Sequence, residues 1–201
     1  MGPGLFITFE GAEGTGKTTQ VDMLVSWLSP RVAVVVREPG GTELGERIRE
    51  IVLLTGLVIE PEAEMYMFLA ARRQLVAEVI EPALAAGEIV IADRYHDSTL
   101  AYQGGGRGLP ITWLPALPRP DLTLLLEGPV ETGLGRHHGA GKLPDRLELE
   151  SLDFHERVAA EYNHLAEAEP NRFARIDATR SREKVHLDVR ARVETLLNRR
   201  A

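Results

Sequence analysis

A chain of 201 residues, 44% hydrophobic and 26% charged, has the length for one well-cored domain and little to spare for a second. Its net charge of −7 argues against the broad basic surface that a nucleic-acid polymer requires, and no apolar stretch approaches the length of a membrane span. The absence of cysteine excludes disulfides, thiol nucleophiles and thiolate metal sites; with no charged-then-apolar leader at the N-terminus, a cytoplasmic enzyme is expected.

The first predicted element is a strand over Leu5–Phe9. It runs into Gly11-Ala12-Glu13-Gly14-Thr15-Gly16-Lys17-Thr18-Thr19, which fits the spacing G-x-x-x-x-G-K-[ST]. A predicted helix, Lys17–Leu28, follows, and strand, glycine loop and helix in that order make a phosphate-binding loop. Glycines let successive N–H groups point inward at phosphate oxygens, and the helix adds the positive end of its dipole. Lys17 is expected to reach the β- and γ-phosphates of a nucleoside triphosphate, and the Thr18 hydroxyl to ligate Mg²⁺. Glu13 is out of place in such a loop unless it points away from the phosphates. There it can accept from a sugar hydroxyl or hold an arginine, or simply be solvated.

A second strand, Arg31–Arg37, ends in Arg37-Glu38-Pro39-Gly40-Gly41-Thr42, and helices are predicted over Glu43–Leu54 and Pro61–Ala86. Pro61 suits a first helical turn and Gly87 a C-terminal cap. Phe68 and Arg72, four residues apart, share a helix face. By default the first is a core ring and the second a solvated guanidinium; pattern alone does not make them a base site. A third strand, Glu88–Ala92, closes on Asp93-Arg94-Tyr95. Asp93 there is a Mg²⁺ anchor, with a helix N-cap as the alternative. Arg37 and Arg94 share the crevice with no carboxylate evidently fixed to them, which suggests a second phosphate group and so a kinase. The alternative pairs them with Glu38 and Asp97 as surface salt bridges.

No strand precedes Gly104-Gly105-Gly106-Arg107-Gly108, so that stretch is expected to be a flexible turn. Strands over Asp121–Glu127 and Arg172–Ile176 alternate with helices over Val130–His137, Leu152–Glu169 and Ser181–Arg199. Residues 136–148 hold glycines, a proline and basic side chains, the makings of a mobile lid. His137 and His138 are adjacent and point in different directions, so no metal is expected there. Five strands alternating with helices imply a doubly wound parallel sheet in a single domain over 1–201.

Several ordered segments resemble the thymidylate kinase family. They are Glu10-Gly11…Lys17-Thr18-Thr19, Arg37-Glu38-Pro39-Gly40-Gly41-Thr42, Phe68-x-Ala70-Ala71-Arg72 and Asp93-Arg94-Tyr95, then Ser98-Thr99-x-Ala101-Tyr102-Gln103-Gly104, Arg119-Pro120-Asp121-Leu122, Asp145-Arg146-x-Glu148 and Ile176-Asp177-Ala178-Thr179. The resemblance implies the three-layer P-loop nucleoside monophosphate kinase fold, ATP and dTMP as substrates, Mg²⁺, and a homodimer. It further implies that Phe68 stacks on thymine and Arg72 binds its exocyclic oxygen. Thr99 and Gln103 then line the base pocket, Pro39 lies near the 5-methyl group, and Tyr102 crowds C2′. Glu13 meets the 3′-hydroxyl, and Arg37 and Arg94 hold the acceptor phosphate. Gly11 to Thr19 bind ATP, with Arg136, Asp177 and Ala178 near adenine. The catalytic set is Lys17, Arg94 and a lid cation, Arg146 first and Lys142 second, because the phosphate loop carries no other basic residue. Rival readings are a kinase for another pyrimidine nucleoside monophosphate and a deoxynucleoside kinase. A GTP-dependent switch is disfavoured, since no Asn-Lys-x-Asp segment is present.

Overall fold

Strand β1, Leu5–Glu10, is buried along its whole length. Apolar side chains pointing to both sides of a strand demand cover on both sides. The structure is a computed structural model that describes residues 4–31, 33–112, 115–139 and 143–199. Strands β2 (Ala33–Arg37), β3 (Ile89–Asp93), β4 (Leu122–Glu127) and β5 (Phe173–Asp177) join β1 in one parallel sheet, in the order β2-β3-β1-β4-β5. Phe9 and Arg37 both pair with Asp93, so β1, β3 and β2 stop level with one another. Their loops therefore open onto one edge, where ligands of such sheets bind.

Helices α1 (Lys17–Leu28) and α8 (Arg182–Asn198) cover one face. Alternation along β1 sends Ile7 and Phe9 into that layer, against Leu24, Val189 and Val193. Phe6, Thr8 and Glu10 point the other way. That face is covered by α2 (Glu43–Val52), α3 (Pro61–Leu75), α4 (Glu81–Ala85), α5 (His96–Thr99) and α7 (Leu152–Ala168). Helix α6 (Val130–Gly139) leaves the end of β4. The doubly wound sheet is thus as expected, and α1 has the predicted bounds. Among the described residues no helix is long and apolar enough to cross a membrane.

Two elements differ from expectation. The single helix predicted over Pro61–Ala86 is α3, a π-helical segment Val76–Ile80, and α4. Pro82 lacks an N–H and its ring crowds the carbonyl four residues back, and the wider turn just before it relieves both problems. The glycines at 104–106 are not a flexible turn. Leu100–Gly106 is π-helical and packs on α7 so closely that a Cβ at Gly106 would stand 2.5 Å from the Phe154 ring, and one at Gly105 would meet Arg157 O at 3.0 Å. Glycine is needed there for close approach, which a search for turn residues reads as flexibility.

Candidate active site

A cavity of about 760 Å³ opens at the carboxyl ends of β1, β3 and β2. Its wall includes Glu13, Gly14, Gly16, Lys17, Thr18, Thr19, Arg37, Pro39, Phe68, Arg72, Asp93, Arg94, Thr99, Tyr102 and Gln103. Most of the residues singled out by motif thus meet in one place. Asp177 and Ala178 do not line it: Asp177 ends β5 and Ala178 follows it, and there Asp177 Oδ1 accepts from Thr179 N and Ala178 N donates to Glu127 O. Lys142 lies outside the described residues, as do the side chains of Arg136, His137 and His138.

At the phosphate loop, Lys17 is buried, and its Nζ donates to the carbonyls of Gly11 (3.1 Å) and Ala12 (2.8 Å). Burial and the nearby Arg94 charge pull its pKa down to about 8, against the carboxylates that raise it. Gly14 takes a positive φ of 66°, and a Cβ there would meet Gly133 O of α6 at 1.9 Å. A Cβ on Gly133 would in turn meet Glu13 O at 2.2 Å, so loop and helix touch backbone to backbone. The Thr18 hydroxyl donates to Asp93 Oδ2 at 2.6 Å, joining the loop to the end of β3.

Arg94 is the hub of the opposite wall. Among the described residues it is the non-glycine residue with positive φ, 73°, a conformation uncommon outside glycine and found at functional sites. That turn sends its guanidinium back over the loop. Nη1 donates to Gly11 O at 3.1 Å and Tyr162 Oη at 3.3 Å, and Nη2 to Glu13 Oε1 at 2.7 Å and Tyr102 Oη at 3.0 Å. Tyr102 Oη also donates to Glu13 Oε1, 2.7 Å away. Burial raises the Glu13 pKa, but the Arg94 and Lys17 charges and the Tyr102 hydroxyl outweigh it and bring it to about 2. The expectation that Arg94 and Arg37 stand without fixed carboxylates is therefore corrected. Arg94 pairs with Glu13, and on the exposed rim Arg37 pairs with Glu46 at 3.1 Å. Neither meets Glu38 or Asp97, whose partners are Arg72 and Arg172.

Arg72 is likewise not solvated; only 2% of it is exposed. Its Nε donates to Glu38 Oε2 at 2.6 Å, Nη1 to Thr99 Oγ1 at 2.7 Å and Nη2 to Tyr95 O at 3.0 Å. Phe68, one turn earlier on α3, serves both the core and the cavity wall. The C-terminal end of the stretch expected to be a lid is held in place. Asp145 Oδ1 accepts from the N–H groups of Leu147 and Glu148, and Glu148 Oε2 accepts from Asp145 N. Arg146 donates from Nε to Val52 O at 2.9 Å and from Nη2 to Glu64 Oε2 at 2.5 Å. It is anchored on α3 and does not line the cavity, whereas Asp145, Leu147 and Glu148 do.

Sequence reading missed Arg49, which lines the cavity and donates to Pro39 O at 2.9 Å, and it assigned no role to Glu10. A carboxylate ending a strand that is apolar on both faces was the available signal. Glu10 accepts from Tyr95 N (2.8 Å), Ser98 Oγ (2.7 Å) and Tyr162 Oη (2.8 Å), and the last two groups also contact Arg94. Burial and then the Asp97 charge raise its pKa to about 7, against Ser98, Arg94 and Tyr162, which lower it. A carboxyl that holds its proton more tightly when folded favours the fold most below 4.5, its ordinary value, and the contribution disappears as pH rises from there through about 7. Glu10→Gln is therefore expected to flatten the decline of Tm across that window. A Tm–pH profile with the parent's slope would contradict this.

A parallel sheet whose central strand feeds a phosphate loop, facing a second set of cations and a buried arginine beside a phenyl ring, defines a P-loop nucleotide kinase. Comparison with known proteins agrees and narrows the class. The family described as Thymidylate kinase matches residues 9–189. The thymidylate kinase of Desulfovibrio desulfuricans is 49% identical, with 98% of each chain covered. That of Thermomicrobium roseum is also 49% identical, over 96% of each chain. The crystal structure of the thymidylate kinase of Ehrlichia chaffeensis superposes with a TM-score of 0.77 at 30% identity, covering 96% of this chain and 99% of its own. The chain belongs to the thymidylate kinase family.

Proposed function

We infer that the protein transfers the γ-phosphoryl group of ATP to the 5′-phosphate of dTMP, giving dTDP and ADP. The observation that carries this reading is the pair of cationic walls in one cavity, Lys17 on the loop side and Arg94 with Arg37 and Arg49 on the other. One wall suits a triphosphate donor and the other an acceptor that is itself a phosphate. Such an acceptor oxygen is ionised at neutral pH, so alignment and charge neutralisation suffice without a general base. Lys17 neutralises the transferring group, Arg94 holds the acceptor phosphate, and Arg37 closes the rim. Glu13 and Tyr102, held together by Arg94, face the deoxyribose. Phe68 and Arg72, with Thr99, Gln103 and Pro39, form the base wall. A deoxynucleoside kinase would have no use for the acceptor-side arginines.

Thr18 and Asp93 fit Mg²⁺, because a hydroxyl and a carboxylate 2.6 Å apart are hard oxygen donors and this ion takes few protein ligands beside substrate phosphates. Bound there with ATP, it would supply charge stabilisation on the phosphates. A lid cation completes the catalytic set. Lys142 is favoured, since Arg146 would have to leave Glu64 to serve. The adenine contacts, Arg136, Asp177 and Ala178, rest on the family pattern. The homodimer rests on apolar side chains left exposed on and between α2 and α3, Ile51, Leu54, Val58 and Tyr66 among them. A cytoplasmic location rests on the absence of cysteine.

The test is ADP release with Mg·ATP and dTMP, dUMP, dCMP, UMP or thymidine as acceptor. Preference for dTMP with thymidine inert supports the reading, and turnover of thymidine overturns the two-wall argument. In the same assay Gly14→Ala is expected to lower kcat/KM for ATP about 10²-fold, because loop and α6 must part by an ångström or so. Unchanged ATP kinetics would show that the contact with Gly133 is not needed.

A further inference from the structure

Glu64 carries none of the roles assigned above, yet it is fully buried in α3, one turn before Phe68 on the face that also carries Arg72. Four donor contacts converge on it. Gln103 Nε2 reaches Oε1 at 2.9 Å, and Arg107 reaches Oε1 from Nε at 3.2 Å and Oε2 from Nη2 at 3.0 Å. Arg146 Nη2 reaches Oε2 at 2.5 Å. Burial alone would raise its pKa, but the hydrogen bonds from Arg107, Gln103 and Arg146 outweigh burial and lower it, so the group is a carboxylate.

We propose that Glu64 is a specificity-positioning residue: it locks the Gln103 amide with its nitrogen turned away from the base, leaving the carboxamide oxygen as the polar end facing the pocket. A carboxylate can only accept, so the amide has one permitted orientation. Gln103 lines the same cavity as Phe68 and Arg72. Arg72 offers donors only, so one cavity wall presents both a donor and an acceptor. The edge of thymine or uracil carries a carbonyl oxygen beside a ring N–H and matches that pair. Cytosine carries an amino group beside a bare ring nitrogen, and both positions mismatch, leaving buried polar groups unpaired. The inference rests on dTMP being the acceptor.

The test is kcat/KM for dTMP, dUMP and dCMP in the parent, Glu64→Gln, Glu64→Asp, Arg107→Gln and Gln103→Met. In Glu64→Gln the new amide can donate as well as accept, Gln103 is free to turn over, and the dTMP/dCMP ratio falls about tenfold or more. The dTMP/dUMP ratio, which reads only the methyl group, stays within about twofold. Glu64→Asp keeps an acceptor-only partner and retains much of the ratio. Arg107→Gln leaves the Glu64–Gln103 bond in place and keeps it also. Gln103→Met removes the amide while sparing the arginine pairs, and loses dTMP/dCMP selectivity even if Glu64→Gln fails to fold. An unmoved ratio in Glu64→Gln or in Gln103→Met overturns the proposal, as does an equal fall in Arg107→Gln. A parent enzyme indifferent to dTMP and dCMP overturns the dTMP reading together with it; a selective parent with an equally selective Glu64→Gln overturns the proposal alone.

Discussion

Replacing Arg94 by alanine is expected to reduce kcat about 10³-fold while leaving the affinity for ATP within a few-fold of the parent. The magnitude follows from position. The guanidinium lies between the loop carbonyl of Gly11 and the Glu13–Tyr102 pair, the position the proposed function gives to the meeting of acceptor phosphate and donor. Glu10, Ser98 and Tyr162 brace it from beneath, and its left-handed backbone is held by Arg94 N donating to Phe9 O at 3.0 Å. No rotamer search remains to be done at the moment of transfer. Arg94→Lys, which keeps charge but loses the fork, should recover only part of the rate. Calorimetric titration with ATP separates the effects. A large loss of ATP affinity would mean that Arg94 supports the loop rather than the acceptor, and an unchanged kcat would remove it from the chemistry.

The second large effect is expected on the fold itself. Arg72→Met keeps much of the side-chain volume but strips the charge from Glu38, which is equally buried. Removing one member of a buried pair costs about 3–5 kcal/mol, because the remaining charge has nowhere to go. In a protein of this size that lowers Tm by about 10 °C. The Glu38 pKa is already raised by burial, with Arg72 opposing, so losing Arg72 should raise it further. Adding Glu38→Gln should restore much of the lost Tm, since an unpaired amide costs less than an unpaired charge. On the proposed base contact, the same Arg72→Met change should raise KM for dTMP about 10²-fold with KM for ATP unmoved, because a hydrogen bond from a charged group would be lost. Thermal unfolding and two-substrate kinetics read both expectations. A Tm within about 2 °C of the parent would mean that Glu38 is solvated without its partner.

Elements with strong local signals were read closely from sequence. The phosphate loop, α1, the strand ends and the cap at Gly87 all follow from spacing, periodicity and glycine chemistry. What escaped was pairing over long separations. Whether Arg72 is solvated or buried depends on Glu38, 34 residues away; Glu13 does hold an arginine, one of the readings open to it, but that the arginine is Arg94, 81 residues away, had to come from the fold. Neither separation leaves a trace in local pattern. The glycines before Arg107 misled for a related reason: a residue that admits a neighbouring helix and one that frees a turn are the same amino acid. Family pattern, and a phosphate loop with no second basic residue, put Arg146 first as lid cation; that it is held by Glu64, in a helix far upstream, is a pairing of the same long-range kind.

The touching backbones of Gly14 and Gly133 have a practical consequence for building chimaeras. A lid transplanted from another kinase of this fold carries its own version of the helix that leads into it. If the junction is cut before residue 133 and the donor brings any side chain there, the recipient's phosphate loop is displaced by a segment that never reaches the nucleotide. A junction placed after Gly133 keeps the two glycines together as one inherited unit, and lids can then be exchanged without disturbing the loop.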